Sequence, residues 1–276
     1  MRSLCDSLKT NDTLKHLDVC LNKVGDEGTR YLCETLKINS NLEELNLYQT
    51  ANTHFGSNIL SDTLTSNTSL KKLWFSGDLG DSELEKFCES LKINKTLKSF
   101  HFWFLKVKRR GLLCLSELIN YNTTLESLHF GCDQMENETI DLICENLEKN
   151  QNLKSINLPF EFKEYGTQKI INLLFKNSSL LEIELDEEYE DDFPIDSKNK
   201  INFLLDCNQQ WNPLKHSSYF KEFKVSVFSF LLCLQQLKKR LFFKLPRFVL
   251  YEILKRINRK SFFDQYFKKK RKRDSN

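Results

Sequence analysis

Leu14 to Asn41 reads LKHLDVCLNKVGDEGTRYLCETLKINSN, and two periods share those 28 residues. LKHLDV alternates apolar with polar side chains, the period of a strand. Leu32 and Leu36, seven and three positions before Asn39, sit one above the other on a helix face. Asp26 stands where a helix N-cap is expected, and Asn39, like Asn11 before it, fits a left-handed exit from a helix. The stretch predicts a strand, a loop, a helix of about three turns and a return.

The same phrase recurs along the chain. Leu14, Leu42, Leu70, Leu97, Leu125, Leu153 and Leu180 open it at intervals of 27 or 28 residues, as LKHLDV, LEELNL, LKKLWF, LKSFHF, LESLHF, LKSINL and LLEIEL. Three residues before each leucine stands an asparagine: Asn11, Asn39, Asn67, Asn94, Asn122, Asn150 and Asn177. The helical pair recurs as Leu4/Leu8, Leu60/Leu64, Phe87/Leu91, Leu115/Ile119, Ile143/Leu147 and Ile170/Leu174, and Asp81 repeats the N-cap position. Such a period marks a solenoid. Parallel strands stack about 4.8 Å apart while packed helices need about 8–10 Å, so a stack with one layer of each curves with its strands inside. Right-handed crossovers give it a single hand. The predicted fold class is α/β, a horseshoe with a parallel sheet lining the hollow and helices outside.

Leu14–Asn41 resembles the leucine-rich repeat of the ribonuclease-inhibitor type, with the pattern LxxLxLxxNxLGDEGxxxLxxxLxxN. That repeat is also found in Ran GTPase-activating proteins and NOD-like receptors. The resemblance covers residues 1–211, a domain of about seven repeats. It implies a protein-interaction module; regulation of a GTPase would follow only by analogy of fold. The loop asparagine Asn22 gives way later to Thr50, Asp78, Leu105, Asp133, Glu161 and Glu188, so the later loops are expected to be irregular. Ile201, Leu205 and Asn208 repeat the helix signature after an acidic insertion, and Trp211 is expected to cap the stack. The chain opens inside a helix signature, at Leu4, Cys5, Leu8 and Asn11, which predicts either an exposed apolar end or a start partway through a longer protein.

Eight glycines and four prolines in 276 residues exclude collagen-like and Pro/Gly-rich disordered classes. The longest apolar candidate, Val225 to Leu234, is about half of what a membrane-spanning helix needs. Nine cysteines without an export signal predict free thiols in a reducing compartment, hence a soluble chain of the cytoplasm, with the nucleus as a second possibility. Cys5, Cys33, Cys88 and Cys144 all fall six residues before a marker asparagine, where Ser61 and Ser116 stand in other units; that register predicts core packing beneath the helices.

No phosphate-binding loop, HExxH or GxSxG occurs, so the sequence predicts no enzyme and no cofactor. His129 and Cys132 form an H-x-x-C with His101 one strand away and Asp133 at hand, but polar residues on an exposed sheet explain them better than zinc. The third, fifth and seventh positions of each phrase point into the hollow. There the two indoles Trp74 and Trp103 stand, flanked by Tyr48, His101 and His129, and exposed aromatic side chains are favoured anchors for a protein ligand. Stacking of the two indoles on each other is the alternative. Towards the last strand the hollow turns acidic through Glu182, Glu184 and Asp186, which suits a basic partner or guards a sheet edge. The expected protein-binding residues are Tyr48, Trp74, His101, Trp103, His129, Glu184 and Asp186.

From Asn212 the period is lost, and residues 212–267 read as a helical module. Its phrase LPRFVLYEIL, from Leu245 to Leu254, resembles the core of an F-box, which implies docking to a Skp-type adaptor and a substrate receptor of a ubiquitin ligase; capping of the horseshoe is the other reading. Lys238 to Asn276 carries fifteen basic residues against three acidic ones, leaving the preceding body acidic. Residues 268–276 read as a solvated tail in which Lys268–Arg273, KKKRKR, offers a nuclear import signal, a contact for an anionic membrane surface or nucleic acid, or no specific contact at all.

Overall fold

The computed structural model describes residues 1–131, 135–158 and 164–185, with Ile201, Asn202, Leu204, Leu205, Asn208 and Gln209. Strands and helices alternate as the repeat demands. In chain order they are α1 (Arg2–Leu8), β1 (His16–Asp18), α2 (Gly25–Leu36), β2 (Glu44–Asn52), α3 (His54–Leu64), β3 (Lys72–Gly80), α4 (Asp81–Ile93), β4 (Ser99–Lys106), α5 (Arg109–Tyr121), β5 (Ser127–Gly131), α6 (Asn137–Lys149), β6 (Ser155–Leu158), α7 (Glu164–Lys176) and β7 (Glu182–Leu185). The strands form one parallel sheet in sequence order. Register advances by one repeat per strand, so His16, Glu44, Lys72, Ser99, Ser127, Ser155 and Glu182 stand in line. The α/β leucine-rich-repeat architecture follows from this sheet and the helices that return between its strands.

The core lies between sheet and helices. Leu45, Leu73, Phe100, Leu128 and Ile156 of one sheet column are fully buried, as are Leu47, Phe75, Phe102, Phe130 and Leu158 of the next. Phenylalanines run through its middle, with Phe75–Phe87, Phe87–Phe100, Phe100–Phe102 and Phe102–Phe130 centroids 5.0–5.8 Å apart. Burying each such side chain stabilises the fold by about 2–3 kcal/mol. The helical pairs from Leu32/Leu36 to Ile170/Leu174 are buried, and only α1 departs, with Leu4 38% exposed. Cys5, Cys33, Cys88 and Cys144, with Ser61 and Ser116, lie in the core as their register predicts. Burial pushes the Cys33 thiol up to about 11 and that of Cys144 up to about 12.

Two sequence expectations are corrected. The marker asparagines do not leave their helices through the left-handed region: Asn94, Asn122 and Asn150 are extended, with φ −61, −76 and −74°. That conformation turns the side chain back over the following amides. Asn94 Oδ1 accepts from the Thr96 and Leu97 N–H groups at 2.9 and 2.8 Å, while its Nδ2 donates to Leu64 O and Asn67 O of the preceding unit at 2.8 and 3.1 Å. Asn39, Asn122, Asn150 and Asn177 bond the same way. Each amide thus satisfies a carbonyl that the previous helix leaves without an intrahelical partner.

Nor do Asp26 and Asp81 cap their own helices. They lie in the first turns of α2 and α4 and reach across to the next unit. Asp26 Oδ1 accepts from Thr53 N at 2.8 Å and Gly56 N at 3.1 Å, and Asp81 Oδ1 accepts from Lys108 N at 2.7 Å. Gly56 and Gly111 make that approach possible, since a Cβ would meet the carboxylate oxygens at 2.6 and 2.7 Å.

The described loops of the second and third units are irregular, as the loss of Asn22 predicts for them; Asp133, Glu161 and Glu188 lie outside the described residues. Asn22 Nδ2 donates to Val19 O and Cys20 O; one unit later Thr50 Oγ1 donates to Leu47 O, and Asn52 Nδ2 donates to Thr50 Oγ1. Ladder register shifts between Leu47 and Asn52 and between Gly77 and Gly80, and Leu21, Gln49 and Ala51 have positive φ. Ile201, Leu205 and Asn208 are buried, and Asn208 Nδ2 donates to Asn177 O at 3.3 Å. Among the described residues no helix is long and apolar enough to cross a membrane. Asp186, Trp211, the helical module of 212–267 with its F-box-like phrase, and the Lys268–Arg273 tail all lie outside the described residues.

Candidate functional site

Parallel register fixes which side chains meet on the inner face. Trp74 is opposite His101, His101 opposite His129, and Trp103 opposite Gly131. The rings follow that grid. Tyr48 meets Trp103 edge-on at 5.2 Å, Trp74 tilts over His101 at 5.4 Å, and His101 stacks on His129 at 4.3 Å with 18° between planes. His101 and Trp103 are 6.4 Å apart, so five rings make one strip across β2, β3, β4 and β5. The two indoles do not cover each other: each leans on a different neighbour and remains half-buried on the inner surface.

Gly131 seats Trp103. A Cβ there would stand 2.5 Å from Trp103 Cδ1, closer than real atoms approach. The site residue that sequence reading overlooked is therefore a glycine, and the signal available was its place 28 residues after an inward-facing tryptophan.

His129 departs from expectation. It faces inward but is 5% exposed, because His101 covers one ring face and polar neighbours hold both nitrogens. Nδ1 lies 3.0 Å from Glu184 Oε2, Nε2 lies 2.8 Å from Ser155 Oγ, and the Ser155 hydroxyl donates to Glu182 Oε2 at 3.0 Å. The first three groups have the spacing of a base held between nucleophile and orienting carboxylate. The Ser155 hydroxyl is directed to Glu182 as well as lying against His129. The Ser155 N–H is also bound, to Glu126 O at 3.1 Å, and so does not serve a developing oxyanion. What the arrangement does is lock the imidazole and tether two carboxylates. Burial, with the charges of His129 and Lys72 adding to it, depresses His101 to about 4, so its ring is neutral at physiological pH and sits 3.3 Å from Ser127 Oγ.

At the other end of the face Glu44 is ion-paired and Asp18 is held by neutral donors. Glu44 takes His16 Nδ1 at 2.9 Å and Lys72 Nζ at 2.8 Å, and the Lys72 hydrogen bond leads in holding its carboxyl below the usual range. Asn46 Nδ2 donates to Asp18 Oδ2 at 3.0 Å. Of the residues expected to bind, the structure brings Tyr48, Trp74, His101, Trp103 and His129 together and joins Glu184 to them through His129. Among the described residues no group of three His, Cys, Asp or Glu is placed to hold a metal; Cys132 and Asp133 of the H-x-x-C reading lie outside them.

No family model matches the chain, and no curated protein matches it. Among solved structures it is similar to leiomodin-1 actin-binding site 2, at 16% identity and TM-score 0.30 over 75% of this chain and 88% of that one. It is similar to the leucine-rich repeat-containing protein LegL7 from Legionella pneumophila, at 16% identity and TM-score 0.45 over 74% and 67%. A tropomodulin C-terminal domain from Caenorhabditis elegans is similar at 14% identity and TM-score 0.29 over 75% and 92%.

Proposed function

We propose that this chain is a non-enzymatic interaction module that captures a protein ligand on the inner face of its sheet. Tyr48, Trp74, His101 and Trp103 form the anchor, and Glu184, tethered by the buried His129, is a charged contact at the rim. The observation that carries this reading is the pair of half-buried indoles on adjacent strands of the inner face, each packed against a neighbouring ring. Such rigid, partly apolar surface binds at low entropic cost. We further propose that the repeats are of the ribonuclease-inhibitor type, as the 27-to-28-residue period with an α-helix in every return supports. The buried, unpaired thiols favour a reducing compartment.

Affinity capture with the whole chain, set against the Trp74→Ala/Trp103→Ala double variant, tests the proposal. The expected result is loss of the captured ligand at a melting temperature within a few degrees of the parent. Unfolding of the double variant, or retention of the same ligand at the same strength, refutes it.

A further inference from the structure

Charge on the inner face is unevenly spent. Its inward columns carry one lysine among the described residues, Lys72, against Asp18, Glu44, Glu182 and Glu184. Lys72 is already paired with Glu44. Glu182 and Glu184 each use one oxygen, Oε2, towards Ser155 and His129, and among the described residues neither Oε1 has a partner. Nearby Lys154 is committed to Glu126. Carboxylates that each keep one oxygen without a partner among the described residues would repel phosphates, so nucleic acid is not the ligand this face selects.

Backbone chemistry decides the form of the occupant. The strands are hydrogen-bonded to one another across the sheet, and the face therefore presents side chains, not open main-chain groups. An extended peptide laid across it would leave its own amides without partners, whereas a helix satisfies them internally. Glu184 reaches back to His129 of β5 and Glu182 to Ser155 of β6, so from midway between β3 and β4, where the indoles stand, to the carboxylates is two to two and a half strand spacings, about 10–12 Å. At about 1.5 Å per residue that distance is about seven or eight helical residues, two turns, which returns to the same helix face.

We infer that the inner face takes an amphipathic helix whose aromatic or large apolar residues rest on Trp74 and Trp103 and whose arginine or lysine, about seven residues away, meets Glu182 and Glu184. This rests on the inner-face reading above and adds the partner's chemistry to it. The probe is a helical peptide of alanine and glutamine with phenylalanine at its first and fifth positions and arginine at its eighth and twelfth. A second peptide carries glutamate in place of both arginines. Titration calorimetry against the full chain is expected to show the arginine peptide binding about tenfold tighter, with quenched tryptophan emission. That preference disappears in the Glu182→Gln/Glu184→Gln variant. If the glutamate peptide binds equally well, the basic class is overturned while capture by the face stands. If neither peptide binds, or if oligouridine binds and is displaced by the arginine peptide, the inference is overturned. The fate of the wider reading is then decided by the Trp74/Trp103 capture experiment, which does not depend on these peptides.

Discussion

Gly131→Ala is the sharpest test of how the aromatic strip is held. The added Cβ would lie 2.5 Å from Trp103 Cδ1 and 3.2 Å from Trp103 Nε1, against an ordinary contact distance of about 3.5–4 Å. The indole must therefore retreat by about 1 Å or leave its rotamer. Retreat from β5 presses the indole towards Tyr48 and disturbs their edge-on contact at 5.2 Å, worth about 0.5–1.5 kcal/mol, and an off-rotamer side chain costs about as much again. Against this, alanine restricts the unfolded chain and contributes about 0.4–1 kcal/mol of stability. The net expectation is a destabilisation of about 1 kcal/mol, read as a small fall in the urea midpoint with an unchanged slope. The larger effect is local: the near-ultraviolet dichroism and emission of the tryptophans change, and ligand capture drops. Trp103→Phe in the Gly131→Ala background should recover stability, since the smaller ring leaves room for the methyl group. Should Gly131→Ala leave the tryptophan spectra and capture as in the parent, the seat we assign to Gly131 does not exist.

Other perturbations probe the frame. Asn122→Ala removes bonds to Leu91 O at 2.8 Å and from Thr124 N and Leu125 N at 2.8 and 2.7 Å, and should cost about 3 kcal/mol in urea unfolding at about 1 kcal/mol per buried bond. Asn122→Asp keeps the acceptor but turns a carboxylate towards Leu91 O, so it should be no better than alanine at neutral pH. A thiol reagent at pH 8 should leave Cys33, Cys88 and Cys144 unmodified until the chain unfolds, because burial raises all three thiols; modification at the rate of an unfolded control would contradict the core placement. For His101 the folded value of about 4 lies below the usual unfolded value of about 6.5, so between these pH values the unfolded chain binds the extra proton. Its contribution to stability is therefore complete above about pH 6.5 and is lost as pH falls towards 4, a limb that His101→Gln should remove from the urea-midpoint profile.

The sequence carried the columns of this fold legibly because stacking turns a period into contact. A side chain recurring every 27 or 28 residues becomes a row in the sheet or a ridge in the helix layer, and Leu45, Leu73, Phe100, Leu128 and Ile156 lie in one such buried row. Links between units were harder to read, since each partner of a bond then sits about a repeat away. Asp26 looked like a cap for the helix it belongs to and is one for the helix after it. The clue was the pairing of Asp26 with Gly56 and of Asp81 with Gly111, thirty residues on in each case. His129 was misjudged for a related reason. Facing inward follows from strand alternation, but exposure depends on the lateral neighbours His101, Ser155 and Glu184, which come from three other strands.

The aromatic strip is not a consequence of the fold's own needs. The inward columns accept serine, asparagine, lysine and glutamate at equivalent positions in the same register, and the sheet pairs without interruption at Ser99–Ser127 and Ser127–Ser155. The buried columns and the helix pairs already supply the core, so indoles at 74 and 103 add no layer that the architecture lacks. The strip also imposes a conformational cost. Gly131 still pairs with Trp103 in the sheet, and glycine, which loses the most conformational freedom on folding, is costlier to order there than alanine would be; Trp103 requires it. A chain under no demand but stability would place a β-branched or polar residue at 131 and a small one at 103. Here instead a glycine is set beneath an indole and a buried histidine is stacked under another ring, in a sheet that serine would have satisfied. A local loss of backbone stability that holds partly exposed rings in fixed orientation is the pattern expected of a surface shaped for contact with another molecule.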